Sequence, residues 1–359
     1  MRPLPTSASD PGSERFVTRR FYWELAELRR LGGPKAASVL ADPRLDAALR
    51  ALRAIRKNEP LRVACLVELS EHTPVEPLLR ARAALARHDL VLDLWPKLEG
   101  ETIPTARFLN TSTAAAFQAR LLPLLDALER HPDGRDIGLA LDLEPNGELI
   151  RGAWRAQDPD ASLATRARAW GSLLRGVVRA VADARQGLRD LAELARDLEA
   201  RDLPVHVAVL PPLLSRSRGD TWRTWVLGCP LSNPEGQPLF GLQAAMCYAP
   251  LARRLPRAAD NWGRKQEKRV LALWAARHRT QFDAVVLGQT ARGMLGDEPV
   301  YMDPKTLAED VRAMDALEFG DVGLYALEGI FFGDHGCPGS DLRLRPDVDH
   351  WIAASFGET

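Results

Sequence analysis

Asp136-Ile137-Gly138-Leu139-Ala140-Leu141-Asp142-Leu143-Glu144-Pro145 is a short apolar run that closes on two carboxylates and a proline. An apolar run of this length is the pattern of a strand buried on both faces, the strand type of a parallel sheet. Residues two apart on a strand point the same way. Asp142 and Glu144 therefore share one face at the strand's C-terminal end, where Pro145 stops the strand. Carboxylates in such a place must be solvated, hydrogen-bonded or used. Two readings follow from the segment alone. Either Asp142 caps the next turn while Glu144 sits in water, or the pair belongs to a site.

The flanks of this strand are helical. Upstream, Thr113 to Arg130 repeats apolar residues at three and four (Phe117, Leu121, Leu124, Leu125, Leu128). Downstream, Ala161 to Ala200 carries the stripe Trp170, Leu173, Leu174, Val177, Val178 and Val181; its length predicts a bend or break near Gly187. Further strands are predicted at Arg62 to Leu69, Asp89 to Trp95 (ended by Pro96), Val205 to Leu210, Leu242 to Tyr248, Ala284 to Gly288 and Val322 to Leu327. Helices are predicted at Pro43 to Arg56, Pro77 to Arg87, Trp262 to Arg279, Pro304 to Leu317 and Asp347 to Phe356. Phe21 to Leu25 would make an eighth strand.

Strand and helix thus alternate along the chain, which argues a parallel sheet. No G-x-G-x-x-G follows a strand and no G-x-x-x-x-G-K-[ST] is present, so a nucleotide-binding open sheet is not indicated and no cofactor is expected. Eight units in 359 residues fit a closed (β/α)8 TIM barrel of the α/β class. The expected organisation is a flexible tail over residues 1–15 and one barrel domain over 16–359. The aperiodic span 215–240, with Trp222 and Trp225 beside Arg218 and Arg223, is expected to be an insertion after strand 5 over the C-terminal face.

The 48 basic and 48 acidic residues cancel. This balance gives no drive toward nucleic acid or an anionic membrane. The polar N-terminus lacks the apolar centre of a signal peptide, and no stretch is long enough to span a bilayer, so the chain reads as cytoplasmic; a processed secreted protein would look the same. The four cysteines have no metal-ligand spacing and are expected to be buried free thiols.

In a barrel of this kind the active site lies at the C-terminal ends of the strands. Those ends hold Trp23 and Glu24; Glu68; Asp93 and Trp95; Asp142 and Glu144; Met246 and Tyr248; Gln289; and Tyr325 and Glu328. There is no G-x-S-x-G elbow, no H-E-x-x-H and no H-x-H. A divalent cation held by Glu68, Asp93, Glu144 and Glu328, as in a sugar isomerase or epimerase, is one chemistry these oxygens allow. Glycoside cleavage is another. It needs a protonated acid at the leaving oxygen and a second group to stabilise the positive ring. Repulsion from Asp142 and limited solvation are expected to raise Glu144 and keep it a proton donor. Tryptophans at the rim stack on sugar faces. A barrel that binds a glycan or a protein without catalysis is the third reading.

A strand ending in D-x-E, followed two strands later by one ending in M-x-Y, resembles the family 18 glycoside hydrolases, the chitinase-like barrels. With Phe21 to Leu25 as strand one, Asp142-Leu143-Glu144 falls on strand four and Met246-Cys247-Tyr248 on strand six. The resemblance implies Glu144 as general acid, Asp142 as the group that orients a substrate 2-acetamido group, and Tyr248 as its hydrogen-bond partner. It implies a carbohydrate substrate, with Trp23, Glu24, Glu68, Asp93, Trp95, Gln289 and Glu328 as expected substrate contacts. The chain departs from the family's D-x-x-D-x-D-x-E at Ile137 and Ala140, and from its M-x-Y-D at Ala249.

Overall fold

Eight parallel strands close into a barrel in a computed structural model that describes residues 17–23, 43–55, 60–99, 108–134, 136–145, 162–209, 228–233, 237–248, 283–291, 300–333 and 344–358. The strands are β1 (Thr18–Trp23), β2 (Leu61–Leu69), β3 (Leu90–Leu98), β4 (Gly138–Leu143), β5 (Val205–Val209), β6 (Leu242–Tyr248), β7 (Ala284–Gly288) and β8 (Asp321–Tyr325). Each pairs with its sequence neighbour, and β8 pairs with β1 to close the ring. The expected (β/α)8 barrel is the fold. Helices α1 (Pro43–Ile55), α2 (Glu76–Ala86), α3 (Ala114–Glu129), α4 (Leu163–Ala200), α5 (Pro304–Asp315), α6 (Leu327–Phe332) and α7 (Val348–Ala354) surround it. The helix expected at Trp262 to Arg279 lies outside the described residues.

Strand alternation divides the core in two although both faces are dry. Outward residues such as Val63, Leu94, Leu141, Val207 and Leu324 pack with the helices. Inward residues form a separate lumen core that includes Tyr22, Ala64, Leu66, Trp95, Ala140, Ala208, Met246, Val286 and Tyr325. The lumen is filled with side chains, as an eight-stranded barrel requires.

Three expectations about local structure are corrected. Pro96 does not end β3, which runs on to Leu98. Beyond Leu94 the strand is paired only with β2, so the missing proline N–H costs no ladder bond on the other side. The segment around Leu109 then takes the place of β3 beside the end of β4. The Leu109 N–H donates to the Asp142 carbonyl at 3.1 Å, and the Glu144 N–H donates to the Leu109 carbonyl at 3.0 Å. Second, β8 stops at Tyr325, so Glu328 is on helix α6 and not at a strand end.

Third, α4 is continuous over 38 residues, through Gly187. The glycine is there for close approach. A Cβ at Gly187 would collide with the backbone of Thr111, just ahead of α3. Leu191, Leu194 and Leu198 bind the C-terminal half of α4 to the core. In the N-terminal half, by contrast, Trp170, Leu174 and Val178 of the predicted stripe are 46%, 61% and 68% exposed.

Of the expected insertion over 215–240, residues 228–233 and 237–240 are described. They form a hairpin bridged at Ser232 and Pro238 that leads into β6. Its tryptophans and arginines lie outside the described residues. Among the described residues no helix is long and apolar enough to cross a membrane. Cys65, Cys229 and Cys247 are buried free thiols, as expected.

Candidate active site

The lumen is built in polar and apolar levels. At its N-terminal end lies a buried ion cluster. Arg20 pairs with Asp93 and, at 2.8 Å, with Asp321; Arg62 holds the other side of Asp93 at 2.6 Å. Two guanidinium groups thus face two carboxylates, and the cluster is formally neutral. Burial, followed by the neighbouring Arg20 charge, lowers Arg62 to about 10. His206 stands beside the cluster with Nε2 3.8 Å from Asp321 Oδ1. Burial first, and Arg20 second, push its imidazole down to about 3, so it is neutral. Its Nδ1 lies 2.9 Å from the Tyr22 hydroxyl. The contact joins a neutral ring to a phenol, because burial and then the Asp142 charge raise Tyr22 far above its usual range.

Above this level the lumen turns aromatic. Tyr22 meets Trp95 edge-on with ring centres 5.2 Å apart, and Trp95 meets Tyr325 edge-on at 5.8 Å. Tyr325 stacks on Tyr248 at 5.7 Å with an interplanar angle of 17°. Phe108 stacks on Trp95 at 6.2 Å and 18°. The Trp95 indole N–H donates to Asp142 Oδ2 at 2.9 Å. Asp142 is 6% exposed, and Glu144, two residues on, is half-buried at the rim. At the C-terminal ends of β2 and β3, Lys97, itself buried, pairs with Glu68 at 3.0 Å.

The structure brings together part of the expected residue set. Asp142, Trp95 and Tyr248 are joined through Tyr325, and Glu144 ends the same strand as Asp142. Glu68 belongs to the C-terminal end through Lys97. Gln289 directly follows β7 and is 3% exposed, with its backbone carbonyl accepting from Tyr301 at 2.8 Å. Glu24 lies outside the described residues.

Three others are elsewhere. Asp93 is fully buried in the ion cluster at the opposite end of the lumen, because it sits early in a β3 that continues past Pro96. It is therefore withdrawn from any cation site with Glu68 and Glu144. Trp23 points outward, by the same alternation that points Tyr22 inward, and packs edge-on against Phe331 at 6.3 Å. Glu328 is buried on α6, close enough to outward-facing Cys65 for its charge to add to the burial that raises the thiol to about 12. Among the described residues no group of three His, Cys, Asp or Glu side chains is placed to hold a metal ion.

Sequence reasoning missed Phe108 and the role of His206. Phe108 is held by a turn that Asn110-Thr111-Ser112-Thr113 announces: Thr113 Oγ1 donates to the Phe108 carbonyl at 2.8 Å, and Asn110 Oδ1 accepts from the Ser112 N–H at 2.9 Å. His206 could have been found as the one polar residue among the inward positions of β5.

No family model matches the chain, and no curated protein matches it. Its likeness is to solved barrels at low identity. The spore cortex-lytic enzyme SleL of Bacillus megaterium QM B1551 is 10% identical, with a TM-score of 0.47, over 97% of this chain and 75% of that one. The GH18 chitinase ChiB of Flavobacterium johnsoniae is 10% identical, with a TM-score of 0.46, over 95% and 94%. A D-allulose 3-epimerase from Methylomonas sp. is 11% identical, with a TM-score of 0.42, over 95% and 96%. Likeness at this level concerns the barrel and not its chemistry.

Proposed function

We propose that the chain is a glycoside hydrolase acting on a polysaccharide or glycan at the C-terminal mouth of the barrel. Glu144 is the proton donor at the leaving oxygen. Asp142 orients the substrate and stabilises the positive charge that develops on the ring, and Tyr248 and Tyr325 form an aromatic wall against which a sugar face rests. The observation that carries this reading is the level made by Asp142, Trp95, Tyr325 and Tyr248. A nearly dry carboxylate is held by an indole donor beneath a rim that carries a second carboxylate. An anion so placed stabilises positive charge far better than one in water. The withdrawal of Asp93 from the C-terminal end favours this reading over a cation-dependent isomerase or epimerase. Ala140 and Ile137, where the chitinase-like pattern has aspartates, separate the proposal from that family's full set of acids.

The test is hydrolysis of polysaccharides and of aryl glycosides by the parent protein and its variants. Glu144→Gln keeps the shape of the side chain and removes the proton. Turnover of natural linkages should fall by about two to four orders of magnitude. Aryl glycosides with activated leaving groups need little protonation and should be spared. Asp142→Asn should affect both substrate types alike. Equal hydrolysis of both types by parent and Glu144→Gln would remove Glu144 as the acid.

A further inference from the structure

We propose that Trp95 is a positioning residue for Asp142: its indole N–H is a fixed donor that sets the direction of the carboxylate and favours its ionised form. A carboxylate with 6% exposure must have hydrogen-bond donors. Ala140, two residues before Asp142 on the same lumen face, has no polar group to offer. It is small, and that matters. Leu94 pairs with Leu139, so Trp95 stands level with Ala140, and the indole reaches across it to Asp142 Oδ2 at 2.9 Å. An indole can only donate. It cannot exchange a proton with Asp142, and its bond is stronger to the ionised form.

The ring is itself immobile. Phe108 covers one face, while Tyr22 and Tyr325 meet it edge-on. Phe108 is fixed by Thr113 and by the Leu109 ladder to β4. Among the described residues, the other ionisable groups on the inward positions and strand ends include Arg20 and Tyr22 on β1, Arg62 and Glu68 on β2, Asp93 and Lys97 on β3, Glu144 after β4, His206 on β5, Tyr248 on β6, and Asp321 and Tyr325 on β8. Arg20, Arg62, Asp93 and Asp321 engage one another, and Lys97 engages Glu68.

This inference rests on the proposed role of Asp142 only for its catalytic consequence; the bond itself is tested without substrate. In 1H–15N spectra of the intact protein, the Trp95 indole proton, assigned by its loss in Trp95→Phe, should lie downfield and move with pH as Asp142 takes up a proton. Asp142→Asn, which leaves the indole in place, should shift that resonance upfield at pH 7 and abolish its pH dependence. In folded Trp95→Phe, the 13C carboxyl signal of Asp142 should titrate about one pH unit higher than in the parent. An indole resonance indifferent both to pH and to Asp142→Asn would overturn the proposal, whether or not Trp95→Phe folds. Where hydrolysis is measurable, Trp95→Phe should lower kcat about tenfold or more with KM little changed, and move the acid limb of the profile upward. If the spectra behave as expected while no carbohydrate is cleaved, the proposed function fails and the positioning of Asp142 stands.

Discussion

The Tyr22 hydroxyl and His206 Nδ1 meet at 2.9 Å inside the barrel, with both side chains almost wholly out of water. The contact links the ion cluster at one end of the lumen to the aromatic level beneath Asp142. Burial and the nearby Arg20 charge keep the imidazole in it neutral, and this has a consequence for stability.

His206 is held down to about 3 in the folded chain, whereas an unfolded histidine titrates near 6.5. Above pH 6.5 both states leave it neutral, and its full contribution is present. As pH falls below that value the unfolded chain binds a proton that the folded chain refuses, so stability is lost progressively down to about pH 3. The loss is on the order of 4 kcal/mol at the acid end. Urea midpoints from pH 7.5 to 4 should fall accordingly. In His206→Asn, whose amide can hydrogen-bond the Tyr22 hydroxyl and does not titrate, this part of the slope should vanish.

Asp93 provides a second stability test. Asp93→Asn removes the carboxylate that Arg62 and Arg20 share and, among the described residues, leaves Asp321 as the carboxylate of the cluster. Removing one member of a buried charge cluster typically costs about 3–5 kcal/mol. Thermal unfolding should show this loss, while the affinity of the folded variant for any sugar ligand should be unchanged. A weakened affinity with parent-like stability would return Asp93 to the binding site.

The same residue shows how far the sequence was legible. Apolar runs alternating with helical periods were enough to predict the closed barrel, because each strand's burial on two faces leaves a run that periodicity detects. Which end of the lumen a polar residue occupies depends on where its strand stops. Pro96 reads as a stop, and it is one only for strands paired on both sides. That single reading moved Asp93 to the wrong end. Trp23 was misplaced for a related reason: alternation separates inward from outward residues only once the register is known, and Tyr22 and Trp23 are equally apolar. Trp95 and Asp142 were both legible as strand-end residues. Their hydrogen bond was not, since it depends on the smallness of Ala140 on the neighbouring strand.

Gly187 and Gly171 both lie within α4 and should respond with opposite signs. Helix propensity favours alanine over glycine by up to about 1 kcal/mol. At Gly171 the space around a Cβ is open apart from the Arg175 side chain at 3.7 Å. Gly171→Ala should therefore stabilise by roughly that amount. At Gly187 the Cβ would run into the Thr111 backbone. Gly187→Ala should then destabilise by about 1–3 kcal/mol despite its better propensity. Urea unfolding of the two variants beside the parent checks both signs.

Tyr248 allows the aromatic wall to be separated from a polar role. Its ring lies nearly parallel to Tyr325, and Tyr248→Phe keeps that stack while deleting the hydroxyl. If the hydroxyl bonds a substrate group on which charge develops, kcat/KM should fall about ten- to hundredfold, the equivalent of a hydrogen bond to a charged group. The Tm should stay within about 2 °C of the parent. Tyr248→Ala removes the stack as well, and frees Tyr325, which meets Trp95 edge-on. Its loss should exceed that of Tyr248→Phe and include a rise in KM as the sugar face loses its support. Parent-like kinetics for Tyr248→Phe together with a large loss for Tyr248→Ala would make Tyr248 a wall only, and would leave Asp142 and Glu144 to carry the chemistry.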